Sequence, residues 1–515
     1  MLTQAARKWL RTVFGGSGND LSFRLLMRLS VNAPKAIVVF PRPQAWPRLP
    51  PLCIREENVS ILTAIEALVS RLENRVSLSK ADLAIHGNSE THFSNTPPDA
   101  VVFPETTAEV SEIMQICSEH DCPVIPWGTG TSLEGSNLAV RGGIVVDTSR
   151  MNRLLKVNPE DMDCVVQPGL TRMALNQELR ATGLFFTVDP GADAALGGMA
   201  ATRASGTTTV RYGTMKDNVL ALEVVLADGR IIRTGSRARK TSAGYDLTSL
   251  FLGSEGTLGI ITELTLKLRG QPESIASAVC AFPDEAAAIT TVIETIQVGL
   301  PMARIELIDA DTVRCFNTYA GRSLPELPHL MLEFHGSKTG VAEQVSSFEE
   351  FVQSNGGSNF EWATNTEDRN SLWQLRHDGY YAVINSIPGS QGYVTDACVP
   401  ISRLAEAIAE TSKDISESPL SGPILGHVGD GNFHAVLLLR PDHPEDLEEA
   451  HRIAGRIAER AIRLGGTITG EHGVGIGKID YLTKEHGDAV DVMVDLKRAM
   501  DPKNILNPGK IFEIN

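Results

Sequence analysis

Residues 426–434 read GHVGDGNFH and residues 470–478 read GEHGVGIGK. The chain has 12 histidines in 515 residues. Three of them, His427, His434 and His472, stand in these two stretches beside Glu471 and among glycines. Two imidazoles and a carboxylate make a three-ligand metal site with coordination positions left open for a substrate. A pair of satisfied core histidines is the competing reading, and these residues alone leave the two level. Asp430 and Asn432 have the character of turn residues rather than ligands.

Such a site needs elements that bring the two stretches together. PILGHV and FHAVLLL read as two strands joined by the tight GDGN turn, which would let His427 and His434 converge. Three further glycine segments ask for a different partner. They are PWGTGTSLEGSN (126–137), the Gly/Ala/Thr-rich run 189–220 and LGSEGTLGIITELTLKL (252–268). Glycine permits close approach of backbone to a ligand, and successive exposed amides can form an anion nest. The dinucleotide fingerprint fails, because Leu133 stands where the third glycine belongs and a strand is expected next. The phosphate-binding P-loop fails as well, since Ile479 follows Lys478. Three segments in series suggest an extended ligand threaded against backbone at several points, which a metal-dependent hydrolase would not need.

The remaining patterns organise the chain. Over 56–271 strands and helices alternate. TTAEVSEIMQICSEHD has Val110, Ile113, Met114 and Cys117 on one helical face, with Thr106 and Glu109 as a capping box. CPVIPWG, GGIVVDTS and DCVVQPG read as strands, and LALEVVLADGRIIRTG as a hairpin turning at Asp228-Gly229. Over 272–465 a second α+β domain follows, closed by a long amphipathic helix at 444–466. Residues 466–515 form a C-terminal segment. Residues 1–55 differ: the first 50 carry eight Lys or Arg against one Asp. A basic, acid-poor start with interleaved apolar residues is the pattern of a mitochondrial transit peptide; a basic arm of a bacterial cytoplasmic protein is the alternative. The proline-rich FPRPQAWPRLPP (40–51) reads as a linker. The formal net charge of −16 argues against a nucleic-acid partner, and no apolar run reaches the ~18 residues of a transmembrane helix. The seven cysteines are scattered without a C-x-x-C, which disfavours a disulfide framework or a cysteine cluster site.

The ordered series PWGTGTSLEG, DPGADAALGGMAAT, VRYGTMKDNVLALEVVLADGRII, GYDLTSLFLGSEGTLGIITELTLKL, GHVGDGNFH, GEHGVGIGK and LNPGKIF resembles the FAD-dependent D-2-hydroxyacid dehydrogenases of the vanillyl-alcohol-oxidase superfamily. LWQLRHDGYYA and TDACVPISRL point to the D-lactate branch rather than to its D-2-hydroxyglutarate and glycolate-oxidising relatives. The resemblance covers about residue 60 to the C-terminus. It implies an α+β fold: a two-subdomain, PCMH-type FAD-binding domain and an α+β cap with an antiparallel sheet. It implies that Gly128, Thr129, Gly130, Thr131 and Ser132 wrap the FAD pyrophosphate. Gly197, Gly198, Thr202 and Ser205 would approach the flavin and ribityl region, Gly259 and Ile261 the adenine side, and Asn507 the flavin from the tail. The FAD is expected to be non-covalent. His427, His434 and Glu471 match the family's ligands for one divalent metal, Zn or Mn, and His472 its general base. Arg376 is the candidate for the substrate carboxylate, since a guanidinium binds carboxylates bidentately. The implied reaction converts D-lactate to the 2-oxo acid, with electrons passed to cytochrome c or a quinone-linked carrier. Hydroxyglutarate-type relatives carry a polar group two residues past the second metal histidine. Val436 stands there, followed by Leu437, which predicts an apolar wall and a preference for short or apolar side chains. The assembly is left open, a homodimer being one candidate.

Overall fold

The computed structural model describes residues 56–377 and 379–514. The basic N-terminal extension and its proline-rich linker lie outside the described residues. Three sheets carry the fold. The first has the order Val76–Ser77, Ala100–Val102, Ile144–Asp147, Val124–Trp127. Two of its three pairings are parallel, so both faces must be covered. Helices Glu56–Leu72 and Thr107–Glu119 contribute Leu68, Val110, Ile113, Met114 and Cys117 to its core. Thr106 caps the second helix by accepting from the Glu109 amide at 3.2 Å. Glu109 does not close the expected box. It accepts instead from the Glu105 amide at 2.7 Å and pairs with Arg75.

The second sheet is antiparallel, ordered Leu154–Asn158, Asp163–Val166, Ile260–Lys267, Val219–Val225, Ile231–Arg233. The last two strands are the expected hairpin, and Gly229 turns it at φ +82°. A strand, Ile144–Asp147, does follow the first glycine loop, as the failed dinucleotide fingerprint requires.

The third sheet has eight strands, all antiparallel, and forms the cap. Its order runs Ser358–Ala363, Ser274–Ala281, His329–Gly336, Met302–Ile308, Ile424–Gly426, Asn432–Leu439, Gln391–Val394, with Ala397–Cys398 also paired to Asn432–Leu439. Strand periodicity of two divides its faces. Phe433, Ala435 and Leu437 join a core with helices Glu285–Gln297, Lys338–Ser354, Leu404–Ser416 and Glu445–Arg463. Val436 and Leu438 face the other way, toward Phe316, Trp373 and Val383. His434 shares their parity and therefore their face. Leu437 does not, so the apolar wall expected from Val436 and Leu437 is carried on this strand by Val436 alone.

The C-terminal segment runs back over the first two sheets. Helix Ala489–Met500 stops at Asp501, and Val124 accepts from the amide of Asn507 at 2.8 Å. Buried Lys497 donates to the Thr257 and Leu506 carbonyls and pairs with Asp501, which anchors the tail. No helix among the described residues is long and apolar enough to cross a membrane.

Candidate active site

A cavity of about 880 Å³ runs between the glycine segments and the cap sheet. Gly128–Leu133, Pro190–Ala194, Gly197, Gly198 and Ser254–Gly256 line its glycine side. Arg304, Arg376, His427, His434, Glu471 and His472 line its cap side, where Asp189 meets Arg304. The glycine end fits a long, anionic, partly flat ligand. None of the backbone amides of residues 129–134 donates to another described residue, so they are free to meet an anion. A Cβ on Gly198 or Gly191 would meet nothing within 4 Å and would project into open space. Gly130 has a different reason. Its φ is +74°, and a Cβ there would lie 2.4 Å from the Trp127 ring. The local chain, not the ligand, demands this glycine first.

At the cap end the hairpin places His427 just beyond strand Ile424–Gly426 and His434 as the third residue of Asn432–Leu439. Gly431, at φ +80°, makes this turn possible, because a Cβ would lie 2.0 Å from the Val399 carbonyl oxygen. The two rings stand edge to face with centroids 5.5 Å apart. Glu471 Oε1 lies 3.1 Å from His427 Nε2 and 3.2 Å from His434 Nε2. Each imidazole is held through its other nitrogen: His427 Nδ1 lies 2.7 Å from Glu306 Oε1, and His434 Nδ1 3.1 Å from the Thr395 carbonyl. That arrangement puts the ring proton on Nδ1 and leaves Nε2 as the donor atom. The three ligand atoms lie within 4.8 Å of one another, and two nitrogens with one carboxylate suit zinc or manganese. Burial opposes charge on His427 and Glu471. Even so, the Glu306 and Glu471 carboxylates hold the His427 imidazole well above its usual value, and the two histidines hold Glu471 well below the carboxylate range.

The loop carrying Glu471 and His472 is held by buried carboxylates. Asp396 Oδ2 accepts from Thr469 Oγ1 and from the amides of Gly470, Glu471 and His472, at 2.7 to 3.0 Å. Glu255 accepts from the amides of Val474 and Gly475 at 2.7 and 2.8 Å. Lys478 spans Glu134, at 3.1 Å, and the Asp396 carbonyl, at 3.0 Å. His472 stacks on His434 with centroids 5.0 Å apart and planes 9° from parallel. Burial pushes its imidazole down to about 4, which leaves it neutral and able to accept a proton at neutral pH. Its Nδ1 has no hydrogen-bond partner among the described residues.

Comparison with known proteins shows the family. Residues 98–235 match the family described as FAD binding domain, and residues 271–511 match FAD linked oxidases, C-terminal domain. The probable mitochondrial D-lactate dehydrogenase of Danio rerio is 48% identical over 91% of this chain and 96% of its own length. The chain belongs to the family of FAD-linked D-lactate dehydrogenases. The mitochondrial D-lactate dehydrogenase (cytochrome) of Arabidopsis thaliana is 42% identical over 87% of this chain and 80% of its own. A glycolate oxidase subunit of Bacillus subtilis is 36% identical over 84% and 93%. The fold is shared with a 4-ethylphenol oxidase of Gulosibacter chungangensis, at TM-score 0.73 and 19% identity over 90% of this chain and 99% of that one.

Within this flavoenzyme family fold, most residues singled out by sequence meet in the one cavity. Gly128 to Ser132, Gly197, Gly198, Thr202, Gly259 and Ile261 line it, as do Arg376, His427, His434, Glu471 and His472. Two others brace it from behind. Ser205 donates to Glu471 Oε2 at 2.8 Å, so it orients the carboxylate rather than the ribityl region. Asn507 is buried and donates to the carbonyls of Ser136 and Glu255 at 2.8 and 2.7 Å. Both of those residues line the cavity, so the tail shapes the FAD end through them. Sequence reasoning missed Glu306, Asp396, Glu255 and Arg304. Arg304 and Glu306 stand two apart in the otherwise apolar strand Met302–Ile308 and share a face. Charged residues are seldom buried without a partner, so that spacing was the available signal.

Proposed function

We propose that this chain oxidises D-lactate, and related D-2-hydroxy acids with short or apolar side chains, to the 2-oxo acid. One observation carries the reading. Arg376, His472 and the His427/His434/Glu471 cluster converge at one end of a cavity whose other end is built of glycine segments. Gly128–Ser132, Gly197 and Gly198 would hold FAD, whose flavin would serve as hydride acceptor. His427, His434 and Glu471 would hold zinc or manganese, which would supply positive charge near the substrate oxygen.

The protein's own groups do the rest. Arg376, whose carboxylate partner among the described residues is Glu306, binds the substrate carboxylate. Arg304, the other arginine of this end, is already engaged by Asp189 at 3.0 Å and Glu333 at 3.4 Å. Neutral His472 takes the hydroxyl proton as the Cα–H bond breaks, a contribution on the order of 10² to 10⁴ in rate. Val436 lines the pocket where a longer substrate's second carboxylate would arrive. An unpaired buried carboxylate costs several kcal/mol, roughly, so D-2-hydroxyglutarate is disfavoured.

The names of the mitochondrial relatives and the basic first 50 residues support import into mitochondria and onward electron transfer to cytochrome c or another respiratory carrier. A reporter fused behind residues 1–55 should enter mitochondria. Purified enzyme should reduce cytochrome c when given D-lactate, with the highest kcat/KM among D-lactate, glycolate and D-2-hydroxyglutarate. A preference for D-2-hydroxyglutarate would refute the pocket assignment.

A further inference from the structure

We propose that Glu306 is a positioning residue that aligns both halves of substrate recognition at once, the metal-ligand histidine and the carboxylate-binding arginine. The proposal rests on the assignment of His427 to the metal and of Arg376 to the substrate carboxylate. Glu306 is fully buried in the cap strand Met302–Ile308. Its Oε1 lies 2.7 Å from His427 Nδ1, and its Oε2 accepts from Arg376 at 3.0 Å through Nε and 2.8 Å through Nη2. One rigid carboxylate on a central strand thus fixes the tautomer of one ligand and the plane of one guanidinium. The distance between metal and substrate carboxylate is set by the width of a single side chain. A 2-hydroxy acid requires such a link, because its carboxylate and hydroxyl sit on adjacent carbons.

The two acceptors must both be oxygens. In Glu306→Gln the amide offers one acceptor and one donor. With its oxygen toward His427, the amide NH₂ faces the Arg376 N–H groups, and the guanidinium is displaced. With its oxygen toward Arg376, the NH₂ donates to His427 Nδ1. The ring proton then moves to Nε2, the atom that must ligate. Neither arrangement satisfies both partners, so zinc binding and carboxylate binding can no longer be met at once.

The test measures zinc affinity by chelator competition and KM for D-lactate at saturating zinc, with FAD content as the check on folding. Glu306→Gln should lower zinc affinity and raise KM, each about 10- to 100-fold, with FAD retained. Wild-type zinc affinity and wild-type KM in an FAD-replete Glu306→Gln protein would overturn the proposal. If that variant releases FAD, Glu306→Asp is measured instead. It keeps both acceptors on a shorter stem, so a drop in zinc affinity together with a raised KM upholds the assignment, and wild-type values of both overturn it. His427→Ala separates the two levels. Zinc affinity unchanged in His427→Ala would reject the metal assignment itself, whereas its loss there with no effect of Glu306→Gln rejects only the role of Glu306.

Discussion

His472 and Val436 each answer to one substitution. His472 is partly buried, stacked on His434, neutral, and adjacent to a ligand it does not join. His472→Ala should keep FAD and metal yet lose on the order of 10² to 10⁴ in kcat, read by stopped-flow reduction of the flavin. A loss below tenfold would remove it as the base. Val436 faces the cavity while Leu437 faces the opposite core. Val436→Asn should therefore lower kcat/KM for D-lactate and raise it for D-2-hydroxyglutarate, by supplying a donor to the distal carboxylate. Leu437→Asn should instead destabilise the cap by burying an amide without a partner. Steady-state kinetics with both acids, beside a thermal melt, separates these outcomes.

The glycine segments show how far the sequence could be read. Their order placed them along one cavity, and the hairpin brought His427 and His434 together as strand patterns required. What each glycine does was not legible, because that depends on what its missing Cβ would strike. Gly130 is required by its own φ and by Trp127, whereas Gly198 faces open space. Gly198→Val should fold and release FAD, and Gly130→Val should distort the loop itself. Comparing melting temperature with bound-flavin absorbance will distinguish them. Equal FAD retention in Gly198→Val and wild type would show that the cavity wall is not where the cofactor lies. Glu306 escaped notice, and the partner of Ser205 was not foreseen, for a related reason. Their partners, at 121 and 266 residues' separation, are set by tertiary packing that no local pattern encodes.

Polar contacts between the FAD-binding and cap portions include Asp189 to Arg304, Arg211 to the Pro301 carbonyl and Tyr212 to His335 at 2.7 Å, and Ser205 reaches Glu471 of the C-terminal segment. A stacked contact joins them as well. His92 lies on the cap residue Tyr393, centroids 4.3 Å apart, with His451 beyond it. Burial, aided by repulsion from His451, lowers the His92 imidazole to about 4 from 6.5. The unfolded chain therefore takes up this proton first. The contribution is intact above pH 6.5 and is lost as pH falls toward 4. His92→Phe keeps the stacking and removes the proton, so its melting temperature should fall less than that of wild type across that window; parallel curves would discount the contact. Both portions line the cavity in which the proposed reaction would take place. The decisive experiment is an anaerobic absorbance spectrum of the purified, metal-replete protein before and after addition of D-lactate or L-lactate. The oxidised-flavin bands should be present at one FAD per chain, bleach with D-lactate and persist with L-lactate. A colourless active protein, or bleaching by L-lactate rather than D-lactate, would contradict it.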